Sequence, residues 1–131
     1  GQMIELRIEE DIQPLELNVK EIKQLILNLA RNGMEAMTDK GILRIELTNI
    51  EDGVQLKVRD TGIGIPPEKL ERLFEPFFTT KTNGTGLGLA LCLSIVERHH
   101  GKIQVESKTG EGTTFIVSFN KYKADALTAG A

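Results

Sequence analysis

Two asparagines, Asn28 and Asn32, stand four residues apart in a segment whose apolar residues recur at helical spacing. That spacing places both amides on one face of a helix, where Asn32 borders the apolar stripe. Amides near a buried face need hydrogen-bond partners, and their oxygens suit Mg²⁺, which keeps several waters and takes few protein ligands. For either residue alone, a helix-surface amide is the simpler interpretation. Asparagine is a poor helix former, so the presence of two in one helix favours a functional interpretation.

Asp60 opens a second cluster, Asp-Thr-Gly-Ile-Gly-Ile over residues 60–65, directly after a strand-like segment. A half-buried carboxylate at a strand end can accept a hydrogen bond from the amino group of adenine. It would repel the oxygen that guanine carries at the same place. Gly62 and Gly64 would let the backbone approach a ligand closely. A plain Asp-Thr-Gly turn is the alternative, whereas an aspartic protease needs two such carboxylates and the chain has one copy of the motif.

The third cluster, Gly-Thr-Gly-Leu-Gly-Leu over residues 84–89, opens a helical segment. Backbone N–H groups and the helix dipole favour a phosphate at such a place. The cluster lacks the preceding strand of a dinucleotide fingerprint and the Gly-Lys-Ser/Thr of a Walker loop. Lys81 could reach a terminal phosphate as a point charge, or it could be a solvated loop lysine.

The elements that must position these clusters follow from periodicity. Residues 3–9 alternate as a strand, and Asn18 with Glu21 predicts a capping box that starts a helix ending near Met37. The next strand covers residues 42–47, and Asp52-Gly53 predicts the hairpin to a return strand ending at Asp60.

A short helix over residues 67–73, a loop over 74–86 and a helix over 87–99 come next, with Gly101 as the C-terminal stop. We interpret the loop as mobile. Strands over 102–107 and 113–119 close the chain, joined by a turn that includes Gly110 and Gly112. Hairpins exclude a regular parallel fold. The pattern predicts an α/β (α+β) two-layer sandwich, with a mixed sheet of about five strands and three helices on one face.

Length and composition limit the function. The chain has 131 residues and a net charge of -3, which fits one soluble domain and gives no support for nucleic-acid binding. We expect a domain over residues 1–120, a flexible tail over 121–131, and a monomer. No apolar run reaches the roughly 18 residues that span a bilayer and no signal peptide opens the chain, so we expect no direct membrane contact. Cys92, the single cysteine, fits a buried structural thiol in a reducing cytoplasm.

The clusters occur in an order that resembles the N, G1, F, G2 and G3 boxes of sensor histidine kinases, members of the GHKL superfamily with the Bergerat nucleotide-binding fold. The Phe-Glu-Pro-Phe-Phe-Thr-Thr-Lys form is similar to nitrogen-regulatory and sporulation-type kinases. The resemblance covers about residues 3–120. The five segments are Asn28-Leu-Ala-Arg-Asn32-Gly, Asp60-Thr-Gly-Ile-Gly-Ile, Phe74-Glu-Pro-Phe-Phe-Thr-Thr-Lys81, Gly84-Thr-Gly-Leu-Gly-Leu89 and Gly110-Glu-Gly-Thr-Thr-Phe115.

The resemblance implies ATP between the long helix and a lid over about residues 66–85. Asn32 would ligate Mg²⁺, with Asn28 and Lys81 completing the catalytic set near the phosphates. Asp60 would hold the adenine amino group and Thr113 would assist through water. Phe77 and Phe78 would anchor the lid, contact a partner or pack in the core. The remaining implied nucleotide-binding residues are Gly62, Gly64, Ile65, Gly84, Thr85, Gly86, Leu87, Gly88 and Leu89. Gly33 stands where alanine is common, and Glu35 stands where some relatives have a basic residue.

Hydrolysing members of the superfamily carry a helix glutamate four residues before the Mg²⁺-binding asparagine, where this chain has Asn28. An amide cannot take a proton from water, so the resemblance favours a kinase over an ATPase. A serine kinase of the anti-sigma-factor type and a non-catalytic ATP-binding module remain alternatives.

The two histidines, His99 and His100, lie at a helix end and outside the box that marks a phospho-acceptor helix. We therefore expect the chain to be a fragment whose dimerisation and phospho-acceptor domain, with its histidine, lies elsewhere. A response regulator would act downstream. We expect no autophosphorylation by this chain alone.

Overall fold

The computed structural model describes residues 1–76 and 88–121, which form one five-stranded sheet with helices packed against it. The sheet order is β1-β2-β3-β5-β4, with β1 parallel to β2 and the other neighbours antiparallel. This confirms the predicted mixed sheet. The elements in chain order are β1 (Met3–Ile8), α1 (Val19–Glu35), β2 (Ile42–Ile50), β3 (Gly53–Asp60), α2 (Pro67–Leu70), α3 (Gly88–Arg98), β4 (Lys102–Lys108) and β5 (Gly112–Asn120).

One face of the sheet forms the core because apolar residues alternate along each strand and the register aligns them. Val58 pairs with Phe115, which in turn pairs with Val105. The helices contribute Leu25, Leu29, Cys92, Ile95 and Val96 to the same cluster, all of them fully buried. The core therefore lies between the sheet and the α1–α3 layer. No helix within residues 1–76 and 88–121 is long and apolar enough to cross a membrane.

The predicted hairpin is present between β2 and β3, but its turn lies one residue earlier than the sequence indicated. Ile50 pairs with Gly53, so the turn residues are Glu51 and Asp52, and Asp52 carries the positive φ of 58°. A Cβ on Gly53 would lie 2.2 Å from the carbonyl oxygen of Phe119. Gly53 is therefore needed for close packing against β5 rather than for the turn.

Helix α1 begins at the predicted cap, but only half of the capping box forms. The Asn18 side chain accepts a hydrogen bond from the Glu21 N–H at 3.0 Å. The Glu21 carboxylate does not return to the Asn18 N–H. It pairs with Arg98 of α3, and the Asn18 N–H donates to His99 Nε2 at 3.1 Å. The hydrogen bond from Arg98 is the main cause that lowers the pKa of Glu21. The reciprocal bond is thus replaced by a link between two helices.

Helix α3 ends before Gly101 as predicted, but the left-handed residue is His100, with φ of 59°. The Gly101 N–H donates to Val96 O and the His100 N–H donates to Glu97 O, which is the Schellman pattern with histidine in the usual glycine position. A Cβ on Gly101 would lie 2.7 Å from Ser118 O. Glycine is needed at position 101 because β5 passes close by.

The short helix predicted over residues 67–73 ends earlier in the structure. Helix α2 ends at Leu70, and isolated turns continue to Glu75. Leu73 is buried in the core, and the Phe74 ring packs edge-on against Phe115 with centroids 6.3 Å apart. The first residue of the predicted loop is thus fixed to the sheet.

Candidate functional site

Asp60 lies at the end of the central strand β3 and is 2% exposed. Its Oδ1 accepts a hydrogen bond from the Gly62 N–H at 2.8 Å. Burial raises the pKa of the Asp60 carboxyl, while hydrogen bonds from the Gly62 and Thr113 backbone act to lower it. A hydrogen-bond acceptor at a sheet end, held in place by backbone donors, is suited to accept a hydrogen bond from an N–H group of a ligand.

Helix α1 brings its C-terminal half against Asp60. A Cβ on Gly33 would lie 3.3 Å from Asp60 Cβ, 3.5 Å from Asp60 Oδ2 and 2.7 Å from Leu43 Cδ1. Gly33 therefore sets a short spacing between helix and strand, and an alanine there would require the Leu43 side chain to shift. The half-buried Asn32 precedes Gly33 in the helix, so the end of the Asn28–Gly33 segment lies against Asp60 at Gly33.

The glycines after Asp60 make close protein contacts, and their approach to a ligand stays a prediction. A Cβ on Gly62 would lie 2.3 Å from Ala36 O at the end of α1. A Cβ on Gly64, whose φ is 76°, would lie 2.0 Å from Lys108 O. The Ile63 N–H also donates to Ala36 O at 3.1 Å. The segment is thus held between α1 and the end of β4.

The turn between β4 and β5 packs against the segment that follows Asp60. From the sequence alone it was interpreted only as a turn. The Gly110 N–H donates to Ile63 O at 2.7 Å. Gly112 has φ of 98°, and a Cβ there would lie 2.1 Å from Asp60 O. Thr113 is buried and pairs with Asp60 across the strands. The structure therefore brings the Asp60 cluster and the β4–β5 turn into contact.

Asn28 lies one helical turn before Asn32 and faces α3. A side-chain hydrogen bond joins it to Cys92, which is fully buried. Burial raises the pKa of the Cys92 thiol to about 12, and the bond to Asn28 acts in the opposite direction. This confirms a structural thiol, because a group that stays protonated is a poor nucleophile.

The start of α3 is described from Gly88 onward. Gly88 is exposed, and no described atom lies within 4 Å of a Cβ built on it. Leu89 is half-buried and packs against the core. Several predicted residues lie outside the described part of the chain, and their placement stays a prediction; they are Phe77, Phe78, Lys81, Gly84, Thr85, Gly86 and Leu87.

Sequence reasoning missed Ser107, whose hydroxyl contacts Ile65, Gly112 and Thr113. Its Oγ accepts from the Ile65 N–H at 2.8 Å and lies 2.8 Å from Thr113 Oγ1. It also donates to Gly112 O at 3.0 Å. The signal was present, because serine continues the core-facing alternation of Ile103 and Val105, where an apolar residue is expected.

The side chains of the described residues suit a cation that binds together with a ligand rather than alone. Within residues 1–76 and 88–121 no group of three or more His, Cys, Asp and Glu side chains could hold a metal by itself. An amide on α1 can supply one neutral oxygen, and Mg²⁺ takes its other ligands readily from phosphates and water. Asn32 therefore fits one ligand of a nucleotide-bound Mg²⁺.

Comparison with known proteins agrees with this arrangement. Residues 18–123 match the family model described as histidine kinase-, DNA gyrase B- and HSP90-like ATPase. The chain is 40% identical over 116 residues to sporulation kinase E of Bacillus subtilis, covering 88% of this chain and 16% of that protein. It is 41% identical over 121 residues to sporulation kinase A of the same organism, covering 92% of this chain and 20% of that kinase. The chain thus spans a fifth or less of either relative.

Solved structures show the same fold. The nucleotide-free catalytic domain of histidine kinase ThkA has a TM-score of 0.78 at 39% identity, covering 92% of this chain and 78% of that one. Full-length ShkA in complex with AMPPNP has a TM-score of 0.81 at 28% identity, covering 95% of this chain and 27% of that one. The chain belongs to the histidine kinase-, DNA gyrase B- and HSP90-like ATPase family and is a catalytic domain of the sensor histidine kinase type.

Proposed function

We propose that the chain binds Mg-ATP and donates the γ-phosphoryl group to a histidine on a separate dimerisation and phospho-acceptor domain in two-component signalling. The observation that carries the nucleotide part is the buried Asp60 carboxylate, held between α1 and the β4–β5 turn. The full-length relative ShkA was solved with AMPPNP, which supports an adenine nucleotide for this fold. A response regulator would receive the phosphoryl group next.

The identity of residue 28 supports transfer over hydrolysis. Asn28 is an amide bound to the Cys92 thiol, so it offers no base for a water molecule. Transfer to a supplied nucleophile depends chiefly on positioning and on electrostatic stabilisation of the phosphates. In this proposal Asn28 orients phosphate oxygens, Asn32 holds one position on Mg²⁺, and Lys81 with the backbone of residues 84–88 meets the phosphates. Mg²⁺ would supply charge neutralisation there.

The Mg²⁺ assignment has a test that needs no activity. In calorimetric titrations with ATP, we expect Mg²⁺ to raise the affinity of the unmodified chain, and Asn32→Ala to remove most of that gain. Asn120→Ala, which alters an exposed asparagine at the end of β5, is the control. An Asn32→Ala chain with an undiminished Mg²⁺ effect would move the metal ligand elsewhere.

The transfer assignment is tested by mixing the chain with γ-³²P-ATP and isolated phospho-acceptor domains from sporulation-type kinases. We expect acid-labile, alkali-stable label on the acceptor, as for phosphohistidine, and none on the chain itself. Replacing the acceptor histidine by alanine must abolish the label. Strong ATP hydrolysis without transfer, or acid-stable label on a serine-bearing acceptor protein, would contradict the proposal.

A further inference from the structure

The Ser107 hydroxyl stands at the end of a row of polar side chains across the core-facing side of the sheet. Ser107 of β4 pairs with Thr113 of β5, and Thr113 pairs with Asp60 of β3. In antiparallel strands, paired residues point to the same face. The next row on the same face of the sheet is apolar and consists of Val58, Phe115 and Val105. The hydrogen bonds of the polar row therefore stand where the fold would otherwise use apolar packing.

The Ser107 contacts define where its proton lies. A serine hydroxyl has one proton to donate and two lone pairs to accept with. The Ile65 N–H occupies one lone pair at 2.8 Å, and the proton is donated to Gly112 O at 3.0 Å. The contact of 2.8 Å between Ser107 Oγ and Thr113 Oγ1 is compatible with both of these bonds only when Thr113 is the donor. The opposite assignment would give up the bond to Gly112 O.

This arrangement determines what Thr113 can offer to a ligand. With its only proton donated to Ser107, Thr113 Oγ1 keeps lone pairs alone, as the adjacent Asp60 carboxylate does. Two neighbouring acceptors favour an amino group, as on adenine. They disfavour a carbonyl oxygen, as on guanine, since neither can donate to it. A freely rotating Thr113 hydroxyl could donate to either a carbonyl or a bridging water.

We propose that Ser107 is a positioning residue for purine selectivity: it holds the Thr113 proton away from the nucleotide, so that Thr113 and Asp60 together select a purine with an amino group, rather than a carbonyl, at position 6. The inference rests on the proposed nucleotide function. It also separates two tasks of Ser107, because its bond to Ile65 positions the loop for any nucleotide, whereas its bond to Thr113 acts only on selectivity.

The test compares ATP and GTP affinities of the full chain by calorimetry in excess Mg²⁺. Ser107→Ala is expected to lower the ratio of ATP to GTP affinity about five- to tenfold, the scale of one hydrogen bond. Ser107→Thr keeps the hydroxyl and is expected to keep the ratio. Ser118→Ala is the matched control, because it removes a half-buried serine hydroxyl from β5 at a position outside this row. It is expected to leave the ratio of ATP to GTP affinity unchanged.

A double-mutant cycle with Thr113→Val separates selectivity from loop anchoring. If Ser107 acts through the Thr113 proton, Ser107→Ala changes the ratio in the unmodified chain but not in the Thr113→Val background. Equal weakening of ATP and GTP, or additive effects on the ratio in the double variant, would overturn the inference and leave an anchoring role.

Two further results complete the design. If thermal melting shows that Ser107→Ala does not fold, Ser107→Cys keeps a similar volume with a much weaker acceptor for the Thr113 proton, and an unchanged ratio there would also overturn the inference. Absence of any nucleotide binding by the unmodified chain would overturn the proposed function itself, and the role of Ser107 with it. ATP preference in the unmodified chain with an unchanged Ser107→Ala ratio would refute only the inference.

Discussion

At the scale of residues, Asp60 combines burial with a charge. Desolvation opposes its ionisation, and the backbone donors of Gly62 and Thr113 do not fully offset it, so the pKa of the carboxyl is raised. The folded protein therefore holds a proton there more tightly than the unfolded chain. Such a buried titratable group costs stability, and groups of this kind are common at functional sites.

That cost predicts a pH dependence with a defined sign. Because the folded-state pKa of Asp60 is above the unfolded value, its contribution to stability is greatest below about pH 4 and is lost as pH rises through the raised pKa. The free energy of unfolding of the wild type relative to Asp60→Asn should fall with rising pH, by about 1.4 kcal/mol per unit of pKa shift. Urea unfolding of both chains across this range measures it, and a relative stability that rises with pH would contradict the raised pKa.

Asn28 provides a second prediction at the same scale. Asn28→Glu would place a carboxylate where hydrolysing members of the superfamily carry their base. We expect ATP hydrolysis to rise at least about tenfold, the low end of general-base contributions, provided that the variant folds. Asn28→Gln, which lengthens the side chain without adding a base, is the control. Phosphate release that stays equal in the two variants would exclude position 28 as a determinant of hydrolysis.

At the scale of elements, the α1 and α3 helices are joined at the end remote from the candidate nucleotide site. The Asn18 N–H donates to His99, and Arg98 pairs with Glu21. The His99 ring also packs edge-on against Phe119. These contacts hold the start of α1 against the end of α3.

The cap of α1 can be tested separately from that link. Asn18→Ala removes the side-chain acceptor of the Glu21 N–H but keeps the backbone donor to His99. We expect a loss of about 1 kcal/mol in the free energy of unfolding, as for other N-caps. Gln24→Ala, at an exposed position of the same helix, is the control and should change stability little. Equal stabilities of Asn18→Ala and wild type would show that the cap does not stabilise the helix.

At the scale of the whole molecule, the candidate site depends on the close approach of segments that are distant in the chain. Gly33 and Gly62 permit contact between α1 and the end of β3, while Gly64 and Gly112 permit contact with the β4–β5 turn. Side chains at these places would separate the segments that surround Asp60. The glycines are therefore needed for the arrangement of segments around Asp60.

Two neighbouring glycines test this argument. Both Gly110 and Gly112 have positive φ, 85° and 98°, but a Cβ on Gly110 meets no described atom within 4 Å, whereas one on Gly112 meets Asp60 O at 2.1 Å. Gly110→Ala should cost about 1–2 kcal/mol from the backbone conformation alone. Gly112→Ala should cost at least about 2 kcal/mol more and weaken ATP binding. Equal destabilisation of the two variants in urea unfolding would refute a tight contact at Asp60.

Much of this arrangement was predictable from the sequence. The residue pattern predicted the strands, and the resemblance to the kinase boxes implied roles for Asn28, Asp60 and Thr113 that stay predictions. The reasons for individual glycines were not predictable, because they depend on backbone neighbours that only the folded sheet supplies. Gly53 and Gly62 were attributed to a turn and a ligand, and the structure places a protein carbonyl beside each. Ser107 was missed because strand register, which joins it to Thr113 and Ile65, is a tertiary property.

The most direct test of the central claim is a calorimetric titration of the chain with ATP and with GTP in excess Mg²⁺. The account predicts that ATP binds at least about tenfold more tightly than GTP, because a buried carboxylate leaves a guanine oxygen without a donor. It further predicts that Asp60→Asn removes most of this preference while the chain remains folded. Equal affinity for ATP and GTP, or no binding of either, would contradict it.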